Sequence, residues 1–315
     1  MLARAVRRST AIRLVACTAL AAGLAAPLVR RRLRLPPPVV TATAATAPFA
    51  LCVLVPRSRK RDVATICLQM WAYVATYQMP NDDPISLERR VHIDYPVRVD
   101  CAIGGGVTPT LRLQRTFGRP GRINGAERVL VWSHWIWFFV PHSTAAYLLL
   151  RHRDRFPRGA CLIYGTFDLG LIGYWALPTA PPWYAAARGR MSDGRTPELR
   201  RMMVEYGERF WKSNWGPLYG FLGGNPLAAM PSLHFATSVM AAHLLSETGP
   251  AAGAVGWAYA GTLGVALVYL GEHYVVDLAV GLALTQAVRK GAPLAAPLFR
   301  QIAAGVTRLE AGARG

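Results

Sequence analysis

The chain has 315 residues, 52% of them apolar and 17% charged, and 36 Lys and Arg against 17 Asp and Glu leave a net charge of +19. A charged fraction below the quarter usual for soluble domains, with a mean hydropathy of +0.22, excludes a disordered tail protein, which would be poor in apolar residues. The apolar and basic residues must be segregated along the chain, which is the pattern of a polytopic membrane protein with basic loops.

A membrane helix needs about 20 mostly apolar residues. In chain order, blocks near that length run over Leu14–Val29, Pro38–Val55, Val63–Met79, Val129–Leu150, Gly159–Leu177, Ala228–Ser246, Ala251–Leu270 and Tyr274–Val288. The first has a basic start, a short apolar middle and small residues after it, which also fits a signal peptide; Arg30, Arg31, Arg32 and Arg34 directly behind it argue against simple cleavage. The expected fold class is all-α: a polytopic membrane helical bundle with a six-helix catalytic core, one or two N-terminal helices, and two long extracytoplasmic loops containing short interfacial helices. The expected domains are an N-terminal basic, membrane-associated segment over 1–62, a catalytic membrane domain over 63–290 and a cytoplasmic tail over 291–315.

Loop charge gives an orientation. The basic runs Arg57 to Arg61 and Arg151 to Arg158 read as cytoplasmic, which puts Met79–Arg128 and Pro178–Ala228 outside and returns Arg289 and Lys290 inside. Arg30 to Arg34 fall on the wrong side if Leu14–Val29 also spans, so either that segment lies in the interface or the rule is locally broken. Both outer loops are roughly 50 residues long, well past the 12 to 15 beyond which an unstructured loop usually has a function. The first contains Gly104-Gly105-Gly106 and a stretch from Thr108 to Phe117 that predicts a short surface helix. The second starts rigidly with Pro178, Pro181, Pro182 and Trp183, continues through an amphipathic helix from Pro197 to Trp211, and approaches Met230 through Gly and Pro. Because the basic residues stand at the ends of apolar runs and not in a stripe with exposed aromatics, nucleic acid is not an expected partner. The five cysteines form no CxxC and no even extracellular set, so neither zinc nor a disulfide framework is indicated.

The chemistry concentrates at two places. Met230-Pro231-Ser232-Leu233-His234 stands at the outer end of one apolar block. Pro231 suits a first helical turn, the amides after it form an anion site for which phosphate is a natural occupant, and Ser232 adds a hydroxyl. Thirty-nine residues after His234 comes His273, in Gly271-Glu272-His273-Tyr274-Val275-Val276-Asp277. Two crossings separate the histidines, so both return to the same membrane face. His273 and Asp277, four apart, share a helix face. The carboxylate can hold one imidazole N–H and leave the other nitrogen free to attack, while His234 is placed to protonate a leaving group. Ionisable residues in membrane segments are costly, which makes function the default reading here. His134, His142 and Asp168, nearer mid-span, divide between interhelical hydrogen bonding and a substrate role; His92, His152 and His243 look incidental. Two histidines and a carboxylate can also hold a metal, but no further ligand is evident, and neither metal nor cofactor is expected.

Pro231-Ser232-Leu233-His234 followed by His273-Tyr274-Val275-Val276-Asp277 resembles the last two signature motifs of the type 2 phosphatidic acid phosphatase superfamily. Leu233, where the phosphatases usually have Gly, resembles the inositol phosphorylceramide synthase branch, as does Pro178-Thr179-Ala180-Pro181-Pro182-Trp183-Tyr184. The resemblance covers roughly Val129 to Val288. It implies phosphoryl transfer on lipid phosphates through a phosphohistidine without a metal, with His273 as nucleophile, Asp277 as its partner, His234 as general acid, and an active site on the extracytoplasmic face. Two departures stand out. Ala266 and Leu267 occupy the positions where the superfamily's last motif usually has Ser-Arg. Its first motif, a Lys six residues ahead of Arg-Pro, has only approximate copies in Arg112 to Arg119-Pro120 and in Arg188 to Arg195-Thr196. A phosphoryl transition state needs positive donors, so Arg112, Arg119, Arg188 and Arg195 join Ser232 and Leu233 as candidate phosphate-site residues.

The expectation is a multi-pass cell-membrane enzyme acting on a lipid phosphate, with water or an alcohol such as a polyol (inositol) as the second substrate. The competing reading is a non-enzymatic transporter, scaffold or pseudoenzyme that keeps the architecture. A transporter would place its site near the bilayer midplane, whereas the motif histidines stand at the ends of spans.

Overall fold

The computed structural model describes residues 2–119, 121–191, 199–222 and 224–314, with the side chains of 2–5 and 219–222 left aside. Fifteen α-helices run through them: α1 (Leu2–Val29), α2 (Pro37–Leu54), α3 (Arg59–Gln78), α4 (Pro84–Arg90), α5 (Asp94–Ile103), α6 (Pro109–Phe117), α7 (Gly125–Trp135), α8 (Phe139–Arg151), α9 (Phe156–Ala176), α10 (Pro182–Ala187), α11 (Met202–Trp211), α12 (Trp215–Leu222), α13 (Leu233–Ser246), α14 (Pro250–Tyr269) and α15 (Val275–Arg314). Among the described residues there is no strand; isolated bridges join His92 and Ala228 to Thr179. The fold is the all-α membrane bundle expected.

Among the described residues three helices are both long and apolar enough to cross a membrane: Val6–Val29 within α1, Pro37–Leu54 and Pro250–Tyr269. Three of the expected spans, in α3, α9 and α15, lie in helices that are long enough but not sufficiently apolar. The cause is visible in α3, which opens on Arg59-Lys60-Arg61-Asp62, and in α9, which carries Arg158 and Asp168. The expected single span Val129–Leu150 is two helices. Between α7 and α8 the bonds shorten to a three-residue reach, Trp137 N–H to His134 O at 3.1 Å and Phe139 N–H to Ile136 O at 3.0 Å, and the chain turns there.

The chain folds as two compact units, one of residues up to Asp83 and from Lys290 onward, the other Pro84–Arg289. In the first, α1, α2 and α3 pack together, with Gly23 pressed onto Ala47, and Ser58 caps α3 by accepting the Arg61 N–H. Arg61, largely buried, is held by the Glu310 carboxylate at 3.2 Å and the Val55 carbonyl at 3.0 Å.

The second unit holds the motifs. α7 begins with a reciprocal cap, in which Asn124 accepts the Glu127 N–H and Glu127 accepts the Asn124 N–H. The same buried carboxylate accepts the Tyr269 hydroxyl of α14 at 2.8 Å, which joins the start of one helix to the end of another. Elsewhere small residues let helices approach, as membrane bundles require. Leu233 packs onto Gly170 and Pro231 onto Gly173 of α9, whose Tyr174 hydroxyl donates to Pro231 O at 3.0 Å. Ala242 of α13 lies against Gly256 of α14, and the Thr285 hydroxyl of α15 donates to Ala236 O of α13 at 2.9 Å.

Candidate functional site

α13 opens the site. Its N-cap is Ser232, whose hydroxyl oxygen accepts the Phe235 N–H at 3.3 Å. The expectation that Pro231 forms the first helical turn is corrected: Pro231 precedes the cap, because the Ser232 side chain satisfies the helix end and the Pro231 ring is seated on Gly173. Ser232 and Leu233 are buried, Leu233 against α9, and His234 stands in the first turn.

The other half follows α14. Gly271, at a φ of +77° that favours glycine, turns the chain after Leu270. Glu272 and His273 follow, and α15 starts at Val275. α15 approaches α13 so closely that the Ser232 N–H donates to the Asp277 carbonyl at 3.0 Å, and a Cβ on Gly281 would stand 2.6 Å from the Ser232 carbonyl oxygen.

These two approaches bring the three titratable residues of the motifs together. His273 Nδ1 lies 3.3 Å from Asp277 Oδ2, which also accepts the Tyr274 N–H at 2.9 Å. His273 Nε2 lies 3.1 Å from His234 Nδ1. His273 is 3% exposed and Asp277 is not exposed at all, so the carboxylate is held by two N–H groups away from water. An imidazole backed in this way and bonded to a second imidazole can attack through one nitrogen while the partner moves a proton.

His234 is fixed on its faces. Trp137 lies 4.1 Å from its ring centre and donates its indole N–H to Thr237 at 3.0 Å. His134 stacks on it at 4.8 Å and 28°. Of the mid-span candidates, His134 thus belongs to the site, with its Nδ1 buried and lacking a hydrogen-bond partner among the described residues. His142 instead bonds back to Phe138 O at 2.8 Å, and Asp168 lies on the exposed side of α9. His92 is used through its backbone, donating to Pro178 O and accepting from Ala180. His152 meets the Tyr147 hydroxyl and His243 meets Arg289 and Gln286. Among the described residues no group of three or more His, Cys, Asp or Glu is arranged to hold a metal ion.

Two carboxylates were not singled out from the sequence. Asp100, on α5 and fully buried, accepts the Val275 and Val276 N–H groups at 3.1 Å each and so anchors the start of α15. Burial pushes its carboxyl up to about 6 and the Asp277 charge adds to this, against the pull of the two backbone donors. Glu272 is pushed up to about 7 by burial, against Arg201, His273 and the Trp183 indole N–H. Neither had a local signal: Asp100 reads as an ordinary loop aspartate until a helix start 175 residues away is set on it.

Among the described residues, the candidate arginines do not hydrogen-bond to the histidines. Arg112 donates to the Gly104 carbonyl, Arg119 is exposed at the end of α6, and Arg188 pairs with Glu88 at 3.3 Å and lies over the Tyr184 ring. Arg195 lies outside the described residues, as does the Pro197 start of the expected amphipathic helix; its described part is α11. Over the His273 turn the cation is Arg201, whose guanidinium stands 4.1 Å from the Trp183 ring centre and within electrostatic range of Glu272.

A phosphoinositol dihydroceramide synthase of Bacteroides thetaiotaomicron is 31% identical over 136 residues, an alignment covering 42% of this chain and 44% of that protein. The chain thus spans less than half the length of that curated relative. No solved structure matches. Residues 124–289, more than half of the chain and including both histidine motifs, match the PAP2 superfamily, and the chain belongs to that family.

Proposed function

We propose that the chain is a lipid-phosphate phosphotransferase or phosphatase that works through a phosphohistidine on His273. What carries this reading is the Asp277–His273–His234 line, with 3.3 Å and 3.1 Å between successive partners. Asp277, ionised, accepts the His273 Nδ1 proton, which leaves the Nε2 lone pair as nucleophile and gives His234 Nδ1 the proton that faces it. A phosphoryl group entering between the two imidazoles replaces their mutual hydrogen bond. His273 Nε2 then bonds to phosphorus as the P–O bond to the lipid alcohol breaks, and the His234 proton goes to the departing oxygen. In the second step His234 takes a proton from water or an acceptor alcohol, the new P–O bond forms, and the P–N bond breaks, which restores His273.

Inositol-phosphate transfer is the specific reaction we favour, supported by Leu233 in the motif and by the partial similarity to the synthase. The active site faces the extracytoplasmic side of a multi-pass cell-membrane protein, in keeping with the loop charges, and the chemistry needs no metal. The rival reading, a fold kept without catalysis, draws on Ala266 and Leu267, both fully buried where the superfamily's last motif has Ser and Arg.

The test is turnover of phosphatidic acid, a polyprenyl pyrophosphate and phosphatidylinositol by purified protein in the presence of chelator. Phosphate release or head-group transfer that persists in chelator and is lost in His273→Ala is the expected result. Activity kept by His273→Ala overturns the nucleophile, and activity lost to chelator overturns the metal-free mechanism.

A further inference from the structure

Beside the histidine pair, and unused by the phosphoryl chemistry, stands Glu272. Its Oε1 is shut off from solvent and has no hydrogen-bond partner among the described residues. A buried carboxyl oxygen left unpaired is unfavourable, and a ligand hydroxyl donating to it would remove that penalty. The Trp183 indole N–H is directed at the same carboxyl, and Arg201 lies across the Trp183 ring.

These three side chains come from separate segments that are firmly tied to one another. The Trp183 N–H donates to Gly271 O at 3.1 Å, fixing α10 to the turn that carries Glu272. Leu199 packs on Gly271, and the Gln114 side chain accepts the Arg200 N–H at 2.8 Å while donating to Tyr269 O at 2.7 Å. The segment before α11 is thereby clamped over the same turn.

We infer that Glu272, Trp183 and Arg201 form a subsite beside His273 for a polyhydroxylated group of the cyclitol or sugar class, joined to or attacking the phosphorus. This rests on the phosphoryl-transfer reading above. A carboxyl accepts from hydroxyls, a guanidinium donates to their oxygens in a fork, and an indole supplies a flat apolar wall, so neighbouring hydroxyls of one ring can be met from several sides. Glu272 directly precedes the nucleophile, which sets the subsite where a substituent of the reacting phosphorus would lie. With a carboxyl near neutrality, both donation and acceptance are available to it at physiological pH.

The experiment compares kcat/KM on phosphatidylinositol and phosphatidic acid, which differ in the polyol, for wild type, Glu272→Gln and Trp183→Phe. The ratio of the two is expected to fall at least about tenfold in both variants, as a polar site rejects a ligand it no longer matches. His273-dependent turnover of phosphatidic acid reports that each variant is folded. Equal losses on the two lipids would assign Glu272 to the phosphoryl chemistry or the fold and overturn the subsite. Free myo-inositol added to the phosphatidic acid reaction separates the sources of the group. Inositol phosphate as product means that it arrives as acceptor; competition against phosphatidylinositol without that product means that it arrives on the donor. Should wild type turn over neither lipid, the phosphoryl-transfer reading fails, and equilibrium binding of labelled myo-inositol decides the subsite on its own. Saturable binding lost in Glu272→Gln supports it, and no saturable binding to wild type overturns it.

Discussion

Replacing Gly281 by alanine probes the geometry on which the histidine pair depends without touching a titratable group. The added Cβ would meet the Ser232 carbonyl oxygen at 2.6 Å, where ordinary contact begins near 3.4 Å. Backbone cannot rotate aside as a side chain would, so α15 has to withdraw from α13 by about 0.8 Å. Ser232 and His234 sit on one side of that contact, Asp277 and His273 on the other. Carried to the imidazoles, the shift opens their 3.1 Å bond to about 3.9 Å, beyond hydrogen-bond reach. A misplacement near 1 Å costs about 100-fold in rate, or about 2.7 kcal/mol of barrier. Alanine also favours the helix by about 1 kcal/mol over glycine, so the loss is expected in kcat and not through unfolding. The assay is single-turnover phosphoryl release by detergent-purified protein, with Gly261→Ala as control, since a Cβ at Gly261 meets nothing within 4 Å. Wild-type turnover by Gly281→Ala, or an equal loss in Gly261→Ala, would refute the reasoning.

Three further outcomes are expected. Asp100 carries a folded-state value near 6, above its ordinary 3.8. A raised carboxyl favours folding when protonated, so its contribution is full below pH 4 and fades as the pH rises through about 6; at about 1.4 kcal/mol per pH unit the change is on the order of 3 kcal/mol. Thermal unfolding of wild type should show that slope between pH 4 and 7, and Asp100→Asn should flatten it; an unchanged slope would remove Asp100 as its source. Glu127→Ala deletes both the reciprocal cap of α7 and the Tyr269 bond, for about 2 to 4 kcal/mol by ordinary hydrogen-bond values. Its midpoint of thermal unfolding should fall clearly below that of Arg188→Ala, which loses only an exposed ion pair and a ring contact. His134 acts on His234 through ring contact, so His134→Phe should keep more activity than His134→Ala, and the pH profile of kcat should move in both; identical profiles in all three proteins would leave His134 a packing residue.

The reactive line was legible because its rules are local or nearly so. His273 stands in the turn just before α15 and Asp277 in its first turn, so the two meet at a spacing of four although only Asp277 is helical, and counting crossings brings His234 to His273. Other features depend on contacts that a linear reading does not contain. The break between α7 and α8 lies inside a continuous apolar run, yet it is there that Trp137 bonds to Thr237, 100 residues away. Pro231 looked like a helix starter because proline is common there, but seating on Gly173 and the Ser232 cap decided otherwise. The spacing of Arg112 to Arg119 and of Arg188 to Arg195 is one that so Arg-rich a chain satisfies readily, while Arg201 is set over Trp183 by the clamp around Gln114 and Gly271, which no spacing encodes.

Each motif supplies chemistry, but the meeting of the motifs is made by residues without any: Gly170 and Gly173 admit Leu233 and Pro231, and Gly281 admits the Ser232 carbonyl. Asp100 then takes the first amides of α15, which points Asp277 back at His273 instead of leaving it to cap its own helix alone. Asp277 itself accepts the neighbouring Tyr274 N–H, so the two carboxylates share the start of this helix. Activity should therefore fall in Asp100→Ala even though residue 100 touches neither histidine. Asp100→Glu, which keeps a carboxylate but lengthens its reach, should restore less than full activity. Full activity in Asp100→Ala would mean that His273 holds Asp277 unaided, and that the anchoring of α15 serves only the fold.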